Sequence, residues 1–171
     1  MALGDLTVKD QNVFAGSGAH LYNVAAGTAI NAGEPVYVVA LGATAASVQP
    51  APTNFPDASA HLMVGIAATT STNTSSAAGN VWVTPVNSAL DYLIAPDTAT
   101  SWDTQAEYDA LVGSRVLIKN SVSITSTPTS GTYTLLASDS TNNGCVVQPL
   151  DIFKYPGKVS IAFRAACSYL S

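Results

Sequence analysis

The apolar positions of this chain fall in short runs and alternations, the pattern that makes strands. Val36–Leu41 is an unbroken β-branched and aromatic run between Pro35 and Gly42, which predicts a strand buried on both faces. It follows the turn signal Asn31-Ala32-Gly33, where Asn and Gly accept positive φ at little cost. Leu62–Ala67 and Val81–Val86 are further apolar runs, and with Thr28–Pro50 they predict a small β-meander. Leu90–Ala95 predicts another strand, stopped by Pro96. Val116 and Ile118 alternate with Leu117, and Val122 and Ile124 alternate with Ser123 and Thr125. Tyr133, Leu135 and Ala137 share a face, and Asn142-Asn143-Gly144 leads into Cys145–Leu150, so Thr132–Leu150 predicts a hairpin. Val159, Ile161, Phe163 and Ala165 face one way, with Lys158, Ser160, Ala162 and Arg164 on the other.

One helix is predicted, over 104–112. Thr104 and Glu107 form an S/T-x-x-E capping box, Tyr108, Leu111 and Val112 make an apolar stripe, and Gly113 stops it. Gln49–Ser59, with Pro50, Pro52 and Pro56, is a loop. Ala68–Asn80, rich in Thr, Ser and Asn, is a long hairpin tip or an extended strand. No internal repeat is visible. The expected fold is mainly β: a compact barrel- or sandwich-like domain of about ten short strands and one short helix. Residues 1–23 are expected to form an extended N-terminal arm, and residues 24–171 a single β-rich domain.

Composition changes the picture in one respect. Charged residues are only 10% of the 171, against roughly 25% in an ordinary soluble domain. Such a surface keeps a monomer poorly apart from its neighbours, and suits a subunit covered by others. Apolar residues in the arm are isolated or paired, too few to bury on their own. Leu3, Leu6, Val13, Phe14, Leu21 and Tyr22 are therefore expected to lie across a partner subunit; the alternative is that the arm adds an edge strand to its own sheet. The net charge is −5. Through Thr100 the only base is Lys9, and no basic stripe follows, which argues against direct nucleic-acid binding. The start of the sequence has no basic region followed by an apolar run, so no secretory signal is expected. The longest apolar stretch, Val36–Ala46, is about half a bilayer span, so no membrane association is expected. The protein is therefore expected to be made inside a cell.

Candidate chemistry is sparse. His20 and His61 are the only histidines, without a Cys or second His at ligand spacing, so no metal or other cofactor is expected. Ala15-Gly16-Ser17-Gly18 is neither a nucleophile elbow nor a phosphate loop. Glu107 is committed to the helix cap, and Asp91, Asp97 and Asp103 stand at element ends, where Asp serves turns and caps. Cys145 and Cys167 read as core thiols. An enzyme is not expected. Trp82 with the Thr69–Asn80 loop leaves a glycan- or receptor-binding module, as in a head fibre or adhesin, as the alternative function.

The run Ile30-Asn31-Ala32-Gly33-Glu34-Pro35-Val36, then Val64-Gly65-Ile66-Ala67, then Val81-Trp82-Val83 after a Gly-Asn turn, resembles the capsid decoration (cement) proteins of tailed bacteriophages. The resemblance covers roughly Gly27–Val86 and does not extend over Ser88–Ser171. It implies a β-rich homo-oligomer, often a trimer at the three-fold positions of an icosahedral head. Such a subunit would bind across neighbouring major capsid protein subunits on the virion surface and resist internal DNA pressure.

Overall fold

The computed structural model describes residues 7–8, 18–38, 47–51, 63–86, 90–96, 102–120, 133–136 and 144–164. They form eleven strands and one helix: β1 (Thr7–Val8), β2 (His20–Val24), β3 (Pro35–Val38), β4 (Val48–Pro50), β5 (Met63–Ala67), β6 (Gly79–Pro85), β7 (Asp91–Pro96), α1 (Gln105–Leu111), β8 (Arg115–Asn120), β9 (Tyr133–Leu136), β10 (Cys145–Gln148) and β11 (Val159–Phe163). The fold is mainly β, as the alternation of apolar positions predicts.

The strands divide into two sheets, and each closes on itself. The first runs β2-β6-β5-β3-β4, all antiparallel, and returns from β4 to β2 through the parallel bridge between Asn23 and Ser47. The second runs β7-β11-β10-β8-β9 and returns through the parallel pairing of β9 with β7, at Ala95 with Thr134 and Pro96 with Leu135. In chain order within each set, both rings read first, fifth, fourth, second, third, and both close with a parallel contact between first and third.

The register agrees as well, residue by residue. In the first barrel Val36 faces Gly65 and Pro35 faces Ile66; in the second, Val116 faces Cys145 and Arg115 faces Val146. Ala67 faces Val83 where Val147 faces Ile161. Tyr22 faces Val81 where Ile94 faces Val159. Tyr37 faces Gln49 where Leu117 faces Leu136. The parallel closure falls on equivalent residues, Asn23 and Ala95. Even the lead into the second strand is shared. Gly33 (φ 93°) donates its N–H to Ala67 O, and Gly113 (φ 86°) donates to Val147 O. Ala67 N returns a bond to Glu34 O, and Val147 N to Ser114 O. Positive φ turns the chain into the barrel at both places, which is what glycine allows without a Cβ penalty. The molecule is thus two copies of one five-stranded barrel in tandem.

Two cores follow from two rings. The first holds Val24, Ile30, Val36, Val48, Val64, Ala67, Val81 and Val83, with Tyr22 and Val38 packed against it. The second is larger and includes Tyr92, Ile94, Val116, Ile118, Val147, Val159, Ile161 and Phe163. It also takes Ala51, Met63 and Val86 of the first barrel, with Tyr37 and Ile66 packed against it. Strand β3 therefore sends Val36 into one core and Tyr37 toward the other. This is why its sequence reads as apolar on both faces. Gly65 marks the closest backbone approach, since a Cβ there would stand 2.1 Å from Thr84 O.

Several sequence expectations change. The first half is not a meander, because β5 pairs with β3 on the side opposite β4. The Thr132–Leu150 hairpin is not formed: β8 lies between β9 and β10 and bonds to both. The local turn signal at Asn142–Gly144 is outweighed because β8 supplies a partner on each edge. His20–Asn23, expected within the arm, belong to the first strand of the first barrel, His20–Val24. Thr104 caps the helix as expected, accepting from Glu107 N while the Glu107 carboxylate accepts from Thr104 N. The stripe is shorter than predicted: Tyr108 is buried, but Val112 leaves the helix at ψ 130° and is exposed. The Val122–Ile124 strand expectation lies outside the described residues.

Candidate functional site

Comparing the two barrels shows where the first is uncovered. Leu21 and Trp82 are cross-strand partners on the outer face of β2 and β6. Their equivalents in the second barrel are Leu93 and Ser160, which also pair. Leu93 is 7% exposed and Ser160 fully buried, and the Tyr108 hydroxyl of α1 accepts from Ser160 N at 2.9 Å. Leu21 is 53% exposed and Trp82 46%. The second barrel has a helix in the connection between its first and second strands; the first barrel has only the ten-residue turn 25–34. The result is an open apolar pair, and a large aromatic in the open contributes strongly once covered.

A polar groove of about 340 Å³ opens beside the same barrel. Gly27–Asn31 lines one side and Thr70, Ser71 and Asn73–Ser75 the other. The Ala68–Ala78 stretch is the connection of the β5–β6 hairpin, and backbone bonds tie it to the opposite wall: Gly27 N donates to Thr74 O at 2.9 Å and Ser71 N to Ile30 O at 2.9 Å. Asn73 Nδ2 donates to Ala25 O at 2.9 Å and also to Thr28 O. Its Oδ1 is buried and makes no hydrogen bond within the protein. Short hydroxyl side chains explain why so simple a sequence is held in place: Thr74 Oγ1 accepts from Ala77 N at 3.0 Å, and Thr72 Oγ1 from Asn80 N at 3.0 Å.

A third feature surrounds the helix start. Pro96, Trp102, Asp103, Ile152, Phe153 and Lys158 line a cleft of about 380 Å³. Phe153 stands on the turn after β10, 82% exposed, its N–H bonded to Asp151 Oδ1 at 2.9 Å. Asp103 and Glu107 are hydrogen-bonded carboxyl groups. That contact and Glu107's charge hold Asp103 above the usual range. Bonds from Thr104 and Asp103 hold Glu107 below it. The pair is fully solvated and serves the helix cap, so its chemistry is structural.

Of the residues expected to meet a partner, Leu21 is on the surface and Tyr22 packs against the first core. Leu3, Leu6, Val13 and Phe14 lie outside the described residues, as do His61 and Cys167. The described part of the arm takes the alternative position: Thr7 and Val8 pair antiparallel with Leu93 and Tyr92 of the chain's own β7. His20 is exposed on β2, and Cys145 is buried in the second core. Among the described residues, no group of three His, Cys, Asp or Glu side chains is placed to hold a metal ion. No described helix is long and apolar enough to cross a membrane. Phe153 was missed as a surface residue because only a folded turn shows that an aromatic points outward. No family model, no curated protein and no solved structure matches the chain.

Proposed function

We propose that this chain is a structural virion protein, a decoration subunit that binds the outside of a phage head across neighbouring major capsid subunits and stabilises it. One observation carries the reading: Leu21, Trp82 and Phe153 are exposed apolar anchors on a β framework whose surface holds few charges. Aromatic anchors dominate interface energetics, and scarce charge keeps the desolvation cost of covering them low. A homotrimer would present three such sets and gain avidity at a three-fold position without any single strong contact. The resemblance of Gly27–Val86 to decoration proteins points the same way.

The test is sedimentation of purified protein with undecorated heads. The wild type should pellet with the heads and raise the temperature at which they rupture. Trp82→Ser with Phe153→Ser should remain in the supernatant with its far-ultraviolet spectrum unchanged. Wild-type protein that stays monomeric at high concentration and ignores the heads ends the proposal. The polar groove favours a second reading, glycan binding, because Thr28, Thr70, Ser71, Thr74 and Ser75 line it with hydroxyl groups of the kind that hydrogen-bond sugars. A glycan array on which wild type and Asn73→Ala give the same background signal removes it.

A further inference from the structure

The duplication places a cavity at the same point of both barrels. In the first, the polar groove lies between the connection of the first and second strands, residues 25–34, and that of the fourth and fifth, residues 68–78. In the second, the cleft of about 380 Å³ lies between the same two connections. Trp102 and Asp103 come from the connection that holds α1, and Ile152, Phe153 and Lys158 from residues 149–158. An amide side chain ties the two walls together in each copy. Asn73 Nδ2 donates to Ala25 O and Thr28 O across the groove. Gln105 Nε2 donates to Leu150 O at 2.9 Å, and its Oε1 accepts from Ile152 N at 3.2 Å. The wall that carries Phe153 is also bonded within itself. Asp151 Oδ1 accepts from Phe153 N at 2.9 Å and Lys154 N at 3.3 Å, and Lys158 N donates to Tyr155 O at 3.3 Å. A cleft framed in this way is largely pre-formed, as ligand sites are.

From this we infer that the cleft of the second barrel is a carbohydrate site that takes one neutral pyranose ring of a glycan. Its volume of about 380 Å³ lies near the lower end of the range for ligand pockets, roughly 300–1,000 Å³, which suits one sugar unit rather than several. Most of its surface is apolar and comes from Phe153, Trp102, Pro96 and Pro156. Phe153 is 82% exposed, so its ring is open to a ligand. A pyranose turns its ring hydrogens to one side and its hydroxyls outward, so it has an apolar face to lay on an aromatic ring and a polar edge. The polar part of the cleft carries both signs, Asp103 and Lys158. A carboxylate ligand would meet Asp103 and an ammonium would meet Lys158, whereas a neutral hydroxyl donates to the one and accepts from the other. Asp103 keeps acceptor capacity beyond its bond with Glu107, since a carboxylate has about four lone-pair sites. The site belongs to the free subunit, in which Phe153 is open, and so goes beyond the decoration reading, in which a capsid subunit covers that ring.

The test starts with a glycan array read by full-length protein, biotinylated and held four to a streptavidin so that weak single contacts register. Wild type should bind spots ending in a neutral hexose, and the signal should hold between about 0.05 and 0.5 M salt, because no net charge is screened. The sugar of the brightest spot, as its methyl glycoside, is then titrated into the unlinked protein by nuclear magnetic resonance. Amide shifts should centre on Phe153 and Lys158. Phe153→Ala, at a position open to solvent, should weaken binding roughly tenfold, the worth of one aromatic contact. Thr70→Ala with Ser75→Ala, both in the polar groove, should leave it unchanged. Binding that survives Phe153→Ala and falls in the groove variant overturns the inference while leaving the groove as a glycan site. An array without signal on any neutral hexose overturns it, as does binding confined to sialylated or sulfated spots.

Discussion

The Tyr108 hydroxyl offers a test with a control inside the same molecule. It donates to Gln148 O at 2.8 Å and accepts from Ser160 N at 2.9 Å, bridging the end of the β10–β11 ladder from a fully buried position. Tyr108→Phe removes one oxygen and keeps the ring, including its edge-on contact with Trp102 at 6.0 Å. Two hydrogen bonds are lost, and the buried Ser160 N–H and the part-buried Gln148 C=O are left without that partner. Each orphaned group costs about 1–3 kcal/mol, so a loss near 3 kcal/mol is expected for the pair. For a chain of this length that lowers the midpoint by roughly 6–12 °C. In the first barrel Trp82 stands at the Ser160 position, and its N–H is met by Thr69 Oγ1 at 3.3 Å in the open. Water can replace that hydroxyl, so Thr69→Val should cost under about 1 kcal/mol. Urea unfolding followed by circular dichroism measures both. If Tyr108→Phe falls within about 0.5 kcal/mol of wild type, or Thr69→Val costs as much, the assignment of buried and open equivalents is wrong. A pH signature accompanies the first variant. Burial pushes the Tyr108 hydroxyl up to about 12 from 10.0, so its contribution is complete below pH 10 and disappears as pH rises toward 12. Tyr37 is also raised by burial and acts in the same direction, so Tyr108→Phe should make the alkaline decline shallower without abolishing it.

Three further outcomes follow from the geometry. Gly65→Ala places a methyl 2.1 Å from Thr84 O and 2.7 Å from Val83 Cγ1, so β5 and β6 must separate; a loss of about 1–3 kcal/mol or more, or insoluble protein, is expected in expression and urea assays. Thr104→Ala removes the helix cap and should cost about 0.5–2 kcal/mol by thermal unfolding. Its partner Glu107 titrates below the usual range, so the cap's contribution is present above the unfolded-state value of 4.5 and is lost as pH falls through the lower folded value. Asn73→Ala frees the β5–β6 connection from Ala25 and Thr28, and limited proteolysis should then cut between Ala68 and Ala78 while both barrels stay intact.

How much of this was legible in the sequence depends on the range of the interaction. The helix start was readable because Thr104 and Glu107 carry the capping chemistry within four residues. The individual strands were readable from alternation. Strand order was not: Asn142–Gly144 announces a local reversal, but β8 satisfies both neighbours better than they satisfy each other. The exposed pair was half readable, since Leu21 was expected at a partner and Trp82 appeared only as a glycan-binding option. Nothing local says that Tyr22 points inward while Leu21 points out, because that depends on which face of β2 closes the ring.

The duplication escaped the sequence for a physical reason that the register makes plain. Equivalent positions are separated by 72 residues in the first strand, 80 in the second and fourth, 87 in the third and 78 in the fifth, so no fixed period aligns them. Across the strands and their leads, identical pairs are confined to Leu21 and Leu93, Val36 and Val116, Gly79 and Gly157, and Val81 and Val159, with Gly33 and Gly113 at the shared turn. What persists is the demand of the ring: an inward side chain of adequate volume at each paired position. The first barrel meets it with Val38, Ala67 and Val83, the second with the larger Ile118, Val147 and Ile161. Volume can drift in this way so long as each core fills to its own density. Pairing cannot drift, because a one-residue slip would turn every inward side chain to the outer face. The two barrels are therefore held to one register, and are free to diverge in what covers them. Divergence is visible in what covers them: α1 packs Tyr108 onto the outer face of the second barrel at Ser160, while Leu21 and Trp82 of the first stay exposed.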